Sequence, residues 1–336
     1  MTQKVPVKTT ARKRVVSGMR PTGPLHIGNV HGALDTWKKM QDDYDCFFLV
    51  ADFHALTTWD DDTNVAENTR EVLLDWLSYG LDPAKCTLFR QSDIVEIPPF
   101  HLLLSMFAPV GWLLRNPTYK DQVEQLKIES PSYGFLGYPV LQAADILLYR
   151  GELVPIGKDQ AAHLNLTIDL AESMVQKFGP IFPVPGYLHS EFAVVPGTDN
   201  RKMSKSYGNA IYLNESEQET TKKIMTMFTD PLKPYKNDPG HPDDCPVYYL
   251  DRIYVKDSAE LAEIKRTCES GQRGCVQCKK DLASRMNAYL KPIRERRIEL
   301  AGHPEKVEKI VHEGAEKARV IAREVLAETM KAVKLR

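Results

Sequence analysis

The chain has 336 residues, enough for two domains or for one large domain carrying an insertion. Its 43% hydrophobic and 26% charged content is ordinary for a soluble globular protein, and a formal net charge of −1 excludes any global pull toward nucleic acid or membrane. No apolar run approaches the ~18 residues of a membrane span, so no membrane partner and a cytoplasmic location are expected. Residues 1–13 are basic, contain no acids and have no apolar stretch, so they read as a flexible tail rather than a secretory signal.

In chain order, Val15-Val16 is a short apolar run, followed by the Gly/Pro-rich stretch Ser17–Asn29 and then by apolar residues at helical spacing, Ile27, Val30, Leu34 and Trp37. This predicts a strand, a turn and a helix running to about Gln41. The free N–H groups and positive dipole end of such a helix suit a phosphate. Gly18, Gly23 and Gly28 let a ligand approach the backbone closely, and His26 adds a donor. Alone, such a turn is equally consistent with a structural role. Asp45–Ala51 is a continuous apolar run typical of a strand buried on both faces, with Asp52-Phe53-His54-Ala55 at its C-terminal end, where open α/β sheets place ligand contacts. Thr63 or Asn64 is placed to cap the next helix, which buries Val65, Val72, Leu73, Trp76 and Leu77 and stops at Gly80 and Pro83. Cys86–Phe89 reads as a third strand. The β-α-β-α-β order predicts an α/β fold with a Rossmann-type parallel sheet.

From Ile97 to Tyr149 the alternation lapses. Residues 100–114 are apolar nearly all round, as in a helix buried in an interface or in the core. Residues 116–134 are polar, contain Lys120, Lys127, Pro131 and Gly134, and are expected to form a mobile loop. Tyr138–Tyr149 predicts a compact helix holding two buried polar groups, Gln142 and Asp145. Leu153–Ile156 returns to strand pattern. Gly157-Lys158-Asp159-Gln160 then turns into a long helix, with Asp159 as N-cap and Gly179-Pro180 as the stop. Residues of about 90–150 thus read as an insertion in a catalytic domain over 14–212. Beyond it the pattern is helical, ending in the stripe Val307, Ile310, Val311, Ala318, Ile321, Val325 and Leu326, so 213–336 is expected to be an α-helical C-terminal domain.

Three groups of residues suggest chemistry. Lys202-Met203-Ser204-Lys205-Ser206 places two cations on a glycine-flanked loop, able to neutralise a leaving polyphosphate; a solvated surface loop is the plain alternative. Asp145 is a lone acid among Leu141, Ala143, Ala144 and Ile146, costly to bury unpaired. An indole N–H, a donor with no acceptor character, is a natural partner for such a carboxylate, with an internal salt bridge or helix contact as the alternative. Of six cysteines, Cys46 and Cys86 lie in apolar runs and pack as small hydrophobes, whereas the other four follow the pattern Cys245-x22-Cys268-x6-Cys275-x2-Cys278. Four thiolates hold either a tetrahedral Zn²⁺ or a [4Fe–4S] cluster, and the spacing alone does not choose. Arg273, Lys279, Lys280 and Arg285 give this region the positive charge that the whole chain lacks.

The His-Ile-Gly-Asn turn and the Lys-Met-Ser-Lys-Ser loop together resemble the two signatures of class I aminoacyl-tRNA synthetases. Within that class the chain is similar to bacterial tryptophanyl-tRNA synthetases over roughly residues 14–330. The likeness rests on Ser-Gly-Met-Arg-Pro-Thr-Gly at 17–23, Ala-Ala-Asp-Ile-Leu-Leu-Tyr at 143–149, Val-Pro-Ile-Gly-Lys-Asp-Gln at 154–160, His163, Asp169-Leu-Ala and the lysine loop. The family often has Gln at the position of Arg20 and Glu at that of Lys158, so this chain's nucleotide site is the more basic. The resemblance implies ATP-dependent activation of L-tryptophan and its transfer to tRNA(Trp), with His26, Asn29, Lys202 and Lys205 catalytic. It implies ATP, with Mg²⁺, at Arg20, Pro21, Thr22, Gly28, Asn29, Gly157, Lys158, Asp159, Lys202, Met203, Ser204, Lys205 and Ser206, and tryptophan at Tyr138, Gln142, Asp145 and Gln160. The cysteine spacing is similar to that of a subset whose C-terminal domain binds a [4Fe–4S] cluster, which implies that group at Cys245, Cys268, Cys275 and Cys278, with Zn²⁺ as the alternative. An anticodon-binding role for the helical domain and a homodimer are implied as well. Tyr138, Gln142 and Asp145 also fit the Tyr-x3-Gln-x2-Asp spacing of tyrosyl-tRNA synthetases. A synthetase-like RNA-binding protein without catalysis is the other alternative, opposed by the intact His26, Asn29, Lys202 and Lys205.

Overall fold

Strand β1 (Arg14–Met19) buries Val15 and Val16 on opposite faces, as alternating side chains on a fully covered strand must. The structure, a computed structural model, describes residues 12–125, 127–156, 161–189 and 194–335. Most of the expected basic tail, residues 1–11, lies outside them. On one side β1 pairs with β2 (Asp45–Val50), which pairs with β3 (Cys86–Arg90); on the other it pairs with β4 (Leu153–Ile156), which pairs with β5 (Gly186–His189). All pairings are parallel and the order is β3-β2-β1-β4-β5. The expected Rossmann-type sheet is therefore present. Its strand order reverses between β1 and β4, which makes the crevice beyond their C-terminal ends the expected binding place.

The two faces bury different helices. On one, Trp37 of α1 (Asp35–Asp43) stacks on Phe48 at 4.4 Å, and Trp76 of α2 (Val65–Tyr79) meets it edge-on at 5.2 Å. The chain enters α1 through the turn Ile27–Asn29 and a π-helical stretch, Val30–Leu34. Asn64 caps α2, accepting from the Glu67 N–H, and Gly80 closes it in the left-handed conformation.

Between β3 and β4 lie four helices: α3 (Ile97–Ser105), α4 (Val110–Arg115), α5 (Pro117–Gln125) and α6 (Tyr133–Leu147). Three expectations change here. The apolar segment 100–114 is two helices, because Pro109 carries no N–H to continue a ladder and sits instead at the N-cap of α4. The expected mobile loop over 116–134 contains α5. Its start carries two helix signals: Pro117 at the first helical position and Asn116 accepting the Thr118 N–H at 3.0 Å. Helix α6 begins at Tyr133, where the Ser132 hydroxyl accepts from the Phe135 N–H, and it tolerates Pro139 inside its length.

After α7 (Ala161–Phe178) and β5, the remaining helices are α8 (Glu217–Met225), α9 (Pro246–Tyr254), α10 (Ser258–Glu269), α11 (Cys275–Ala301) and α12 (Pro304–Ala332). The expected apolar stripe on α12 is its buried face. A Cβ at Gly314 would meet the Leu88 carbonyl oxygen at 1.9 Å, so only glycine lets α12 lie this close on β3. Ala315, Ala318, Ala322 and Val325 then complete the core around Phe89 and Leu148. Among the described residues no helix is long and apolar enough to cross a membrane.

Candidate active site

The turn after β1 is fixed from three directions. The Leu25 N–H donates to Asp75 Oδ2 at 2.7 Å, and backbone bonds at 3.0 Å join Leu25 to Leu213 and Ile27 to Ile211. His26 donates its N–H to Asn29 Oδ1 at 3.1 Å and accepts the Asn29 N–H at 2.8 Å, which closes the first helical turn. A Cβ at Gly28 would lie 2.9 Å from the imidazole, so glycine is what lets the ring occupy the turn. The His26 ring is buried, and its Nδ1 has no hydrogen-bond partner among the described residues. Burial, then the positive charges of Lys205 and Lys202, push its pKa down to about 4. The imidazole is therefore neutral near pH 7.

The lysine loop meets this turn directly. Lys205 Nζ donates to the Gly23 carbonyl at 2.8 Å and lies 3.3 Å from Thr22 Oγ1. Burial lowers the Lys205 pKa to about 8, with the Asp75 carboxylate opposing that shift. Met203 is the buried anchor of the loop, its N–H bonded to the Val195 carbonyl at 2.9 Å. Asn209, also buried, accepts from the Ser204 N–H at 2.8 Å and donates to Asp199 at 2.6 Å and to the Lys202 carbonyl at 3.1 Å. Lys202 and Ser206 are exposed. Arg20 is half-buried and donates to Thr58 Oγ1 at 2.5 Å, and Pro21 is buried beside it. The expected contacts Gly157, Lys158, Asp159 and Gln160, and with them the Asp159 cap, lie outside the described residues.

Asp145 is 5% exposed and is not the unpaired acid its helix pattern suggests. Its carboxylate accepts from His54 Nε2 at 2.9 Å and from Gln91 Nε2 at 2.7 and 2.9 Å. Gln91, fully buried, accepts the Phe53 N–H at 3.0 Å through its other amide atom. An ionised carboxylate offers about four lone-pair sites, so these contacts fix Asp145 while leaving it acceptor capacity. Tyr138 stands edge-on to His54 at 6.3 Å, and burial pushes its phenol up to about 12, which keeps it neutral. Gln142 is half-buried on the same helix. Sequence reasoning missed the roles of His54 and Gln91 as holders of Asp145. Gln91 directly follows β3 and His54 lies four residues beyond β2, and that position past the strand ends is the signal that could have found them.

Cys245, Cys268, Cys275 and Cys278 line one cavity and none forms a disulfide. Cys275 and Cys278 lie one turn apart at the start of α11. The donor set is soft, as zinc and iron–sulfur sites require. Among the described residues, however, no group of three or more His, Cys, Asp or Glu has its donors set for a metal ion. The thiols converge without forming a closed shell. The expected basic patch is largely used internally: Arg273 pairs with Asp281, Arg285 with Asp251 and Glu260, and Lys279 is buried, leaving Lys280 exposed. Burying acids such as Asp251 requires such partners.

A Rossmann sheet with a late lysine loop set against the turn after its first strand has the construction of a nucleotide-using enzyme of the synthetase type. The family of tRNA synthetases class I (W and Y) matches residues 8–291, and the chain belongs to it. Within that family the chain is 42% identical to a tryptophan–tRNA ligase of Thermotoga maritima, covering 96% of this chain and 99% of the relative. It is 39% identical to that of Aquifex aeolicus over 96% of this chain and all of the relative. It is also similar to the crystal structure of tryptophanyl-tRNA synthetase from Campylobacter jejuni complexed with ADP and tryptophan, with a TM-score of 0.88 and 36% identity over 96% of this chain and 99% of that one.

Proposed function

We propose that this enzyme is a tryptophan–tRNA ligase that activates L-tryptophan with ATP, releases pyrophosphate, and transfers the tryptophanyl group to the terminal adenosine of tRNA(Trp). The observation that carries this reading is similarity to tryptophan–tRNA ligases over 96% of this chain, joined to a buried carboxylate, Asp145, that His54 and Gln91 fix in place. In the first step the substrate carboxylate, already ionised, attacks the α-phosphorus and pyrophosphate leaves. No protein general base is needed, so catalysis consists of alignment and charge stabilisation.

His26, Asn29 and the Gly28 backbone, with Arg20, Pro21 and Thr22, receive the triphosphate. Neutral His26 donates a hydrogen bond without adding charge. Lys202 and Lys205 take up the charge on the leaving pyrophosphate, with Ser204 and Ser206 as hydrogen-bond donors and Met203 anchoring the loop, and Mg²⁺ would share that charge when bound. Lys205 exchanges the Gly23 carbonyl for phosphate oxygen as the loop closes. Gly157, Lys158 and Asp159, which follow β4 in the chain, serve the nucleotide. The indole N–H donates to Asp145, with Tyr138 and Gln142 beside it and Gln160 as a further tryptophan contact.

A tyrosine enzyme is the second reading, since Tyr138, Gln142 and Asp145 also suit a phenol. An ionised Asp145 accepts equally from an indole N–H or a phenol O–H, and what favours tryptophan is the similarity to tryptophan–tRNA ligases over 96% of this chain. ATP–pyrophosphate exchange with a panel of amino acids tests the choice. Exchange with tryptophan is expected. Exchange driven by tyrosine overturns the choice, and exchange with no amino acid leaves only an RNA-binding role.

The convergence of Cys245, Cys268, Cys275 and Cys278 on one cavity supports a [4Fe–4S] site, with Zn²⁺ as the alternative. The group would tie the segment before α9 to the end of α10 and the start of α11, within a helical domain over 213–336 that contacts the tRNA anticodon. Brown protein containing iron and sulfide is expected. Cys278→Ser should bleach it and weaken tRNA charging more than exchange, and a colourless zinc protein would decide for Zn²⁺. The exposed Leu102 of α3, Met106 just after it, and Val110 and Leu114 of α4 support a homodimer through this part of the surface.

A further inference from the structure

Helix α11 makes two separate polar contacts that end on the two halves of the ATP site. Near its start, buried Lys279 donates to the Met227 carbonyl at 2.6 Å and to Thr229 Oγ1 at 2.7 Å. Between those partners, the Phe228 N–H donates to the Thr198 carbonyl at 2.6 Å, and the Thr198 N–H donates to the Asn209 carbonyl at 3.0 Å. Thr198 and Asn209 are the two ends of the lysine loop, and Asn209 also holds Ser204 and Lys202.

About 27 Å further along the helix, at 1.5 Å per residue, stands Arg297. Its Nε donates to Asp75 Oδ1 at 2.7 Å, and its Nη2 pairs with Glu71. Asp75 is wholly buried on α2, and its second oxygen takes the Leu25 N–H at 2.7 Å, one residue before His26. Apolar residues already pack these helices, with Leu290 and Ile293 in the same core as Leu73 and Leu77. A buried ion pair is seldom the cheapest way to add stability, so this one calls for another use. Its geometry supplies one: Asp75 is a bridge from α11 to the backbone of the catalytic turn.

We propose that α11 braces the ATP site as a whole, with Lys279 and Arg297 acting as positioning residues that set the lysine loop against the His26 turn. The inference rests on the reading of His26 and Lys205 as phosphate-site residues. Both contacts act at a distance from the reacting atoms, where a misplacement of about 1 Å costs on the order of a hundredfold in rate. Loss of either contact lets one half-site drift relative to the other, and loss of the second then adds little.

The test is ATP–pyrophosphate exchange by the full-length protein carrying Lys279→Met, Arg297→Met or both, with Lys205→Ala as control. Tryptophan affinity and thermal unfolding are measured on the same samples. Each single variant should lower exchange kcat about tenfold and raise the ATP KM, while tryptophan affinity stays within about twofold. The double variant should lose far less than the product of the two single losses. Arg297→Lys, which keeps a cation at Asp75, should recover most of the rate. Should Arg297→Met fail to fold, Asp75→Asn keeps the shape of the bridge, and the same loss of kcat is expected from it. Unchanged kcat and ATP KM in folded variants, whatever their Tm, would overturn the brace. Normal exchange by Lys205→Ala would instead overturn the site reading on which the brace depends.

Discussion

In the proposed reaction, the Asp145 pocket and the lysine loop work together with opposite constructions. Asp145 is buried, and His54 and Gln91 from two other segments hold its carboxylate still. The lysine loop exposes Lys202 and Ser206 and is held mainly through its backbone, by Asn209 and the anchor Met203. The difference follows from what each must do. Telling one side chain from another requires polar groups that stay unpaired when the wrong ligand enters, so they must be fixed and dry. Stabilising charge that appears only as pyrophosphate leaves requires cations that arrive at that moment.

The largest effect that would break this contrast belongs to Lys205. Lys205→Ala should slow adenylate formation by about a hundredfold to a thousandfold, the scale of losing one charge-stabilising donor, while tryptophan binding survives. Equal losses in both would mean that the loop shapes the amino-acid pocket too. The same lysine gives the pH dependence. With its pKa lowered by burial to about 8, Lys205 is charged below that pH and neutral above it, so kcat/KM for ATP should fall as pH rises through about 8. Lys205→Arg should move that limb to higher pH.

Next in size is the pocket. Asp145→Ala should raise the tryptophan KM by about ten- to a hundredfold, because one charged acceptor is removed and two buried donors lose their partner. The ATP KM should change little. Gln91→Leu should have the smallest effect, a rise in tryptophan KM of up to about tenfold, since it removes the amide that Asp145 shares between its two oxygens but leaves His54 to orient the carboxylate. No change with Gln91→Leu would assign the orienting of Asp145 to His54 alone.

Much of the architecture was legible in the residues because its causes are local. Apolar runs and stop signals marked β1 to β4, although β5 went unread, and Asn64 and Gly80 marked the ends of α2. Where the local signal was mixed the reading erred: the polar stretch around Lys120 hid α5, whose evidence lay in Asn116 and Pro117. The two half-sites were visible as motifs, and the contact of Lys205 with Gly23 places them together. The basic neighbours of the cysteines misled, because sequence shows charge but not which acids absorb it.

By itself the sequence determined the α/β alternation, the His26 turn, the lysine loop and the spacing of the four cysteines, since each is carried by the order of residues along the chain. Only the tertiary structure decided that Asp145 is held by His54 and Gln91, and that Arg297 reaches Asp75 across 222 residues of sequence. The physical reason is shared by both cases. A buried charge or amide must find a partner wherever folding brings one, and nothing in the local pattern says which partner that is.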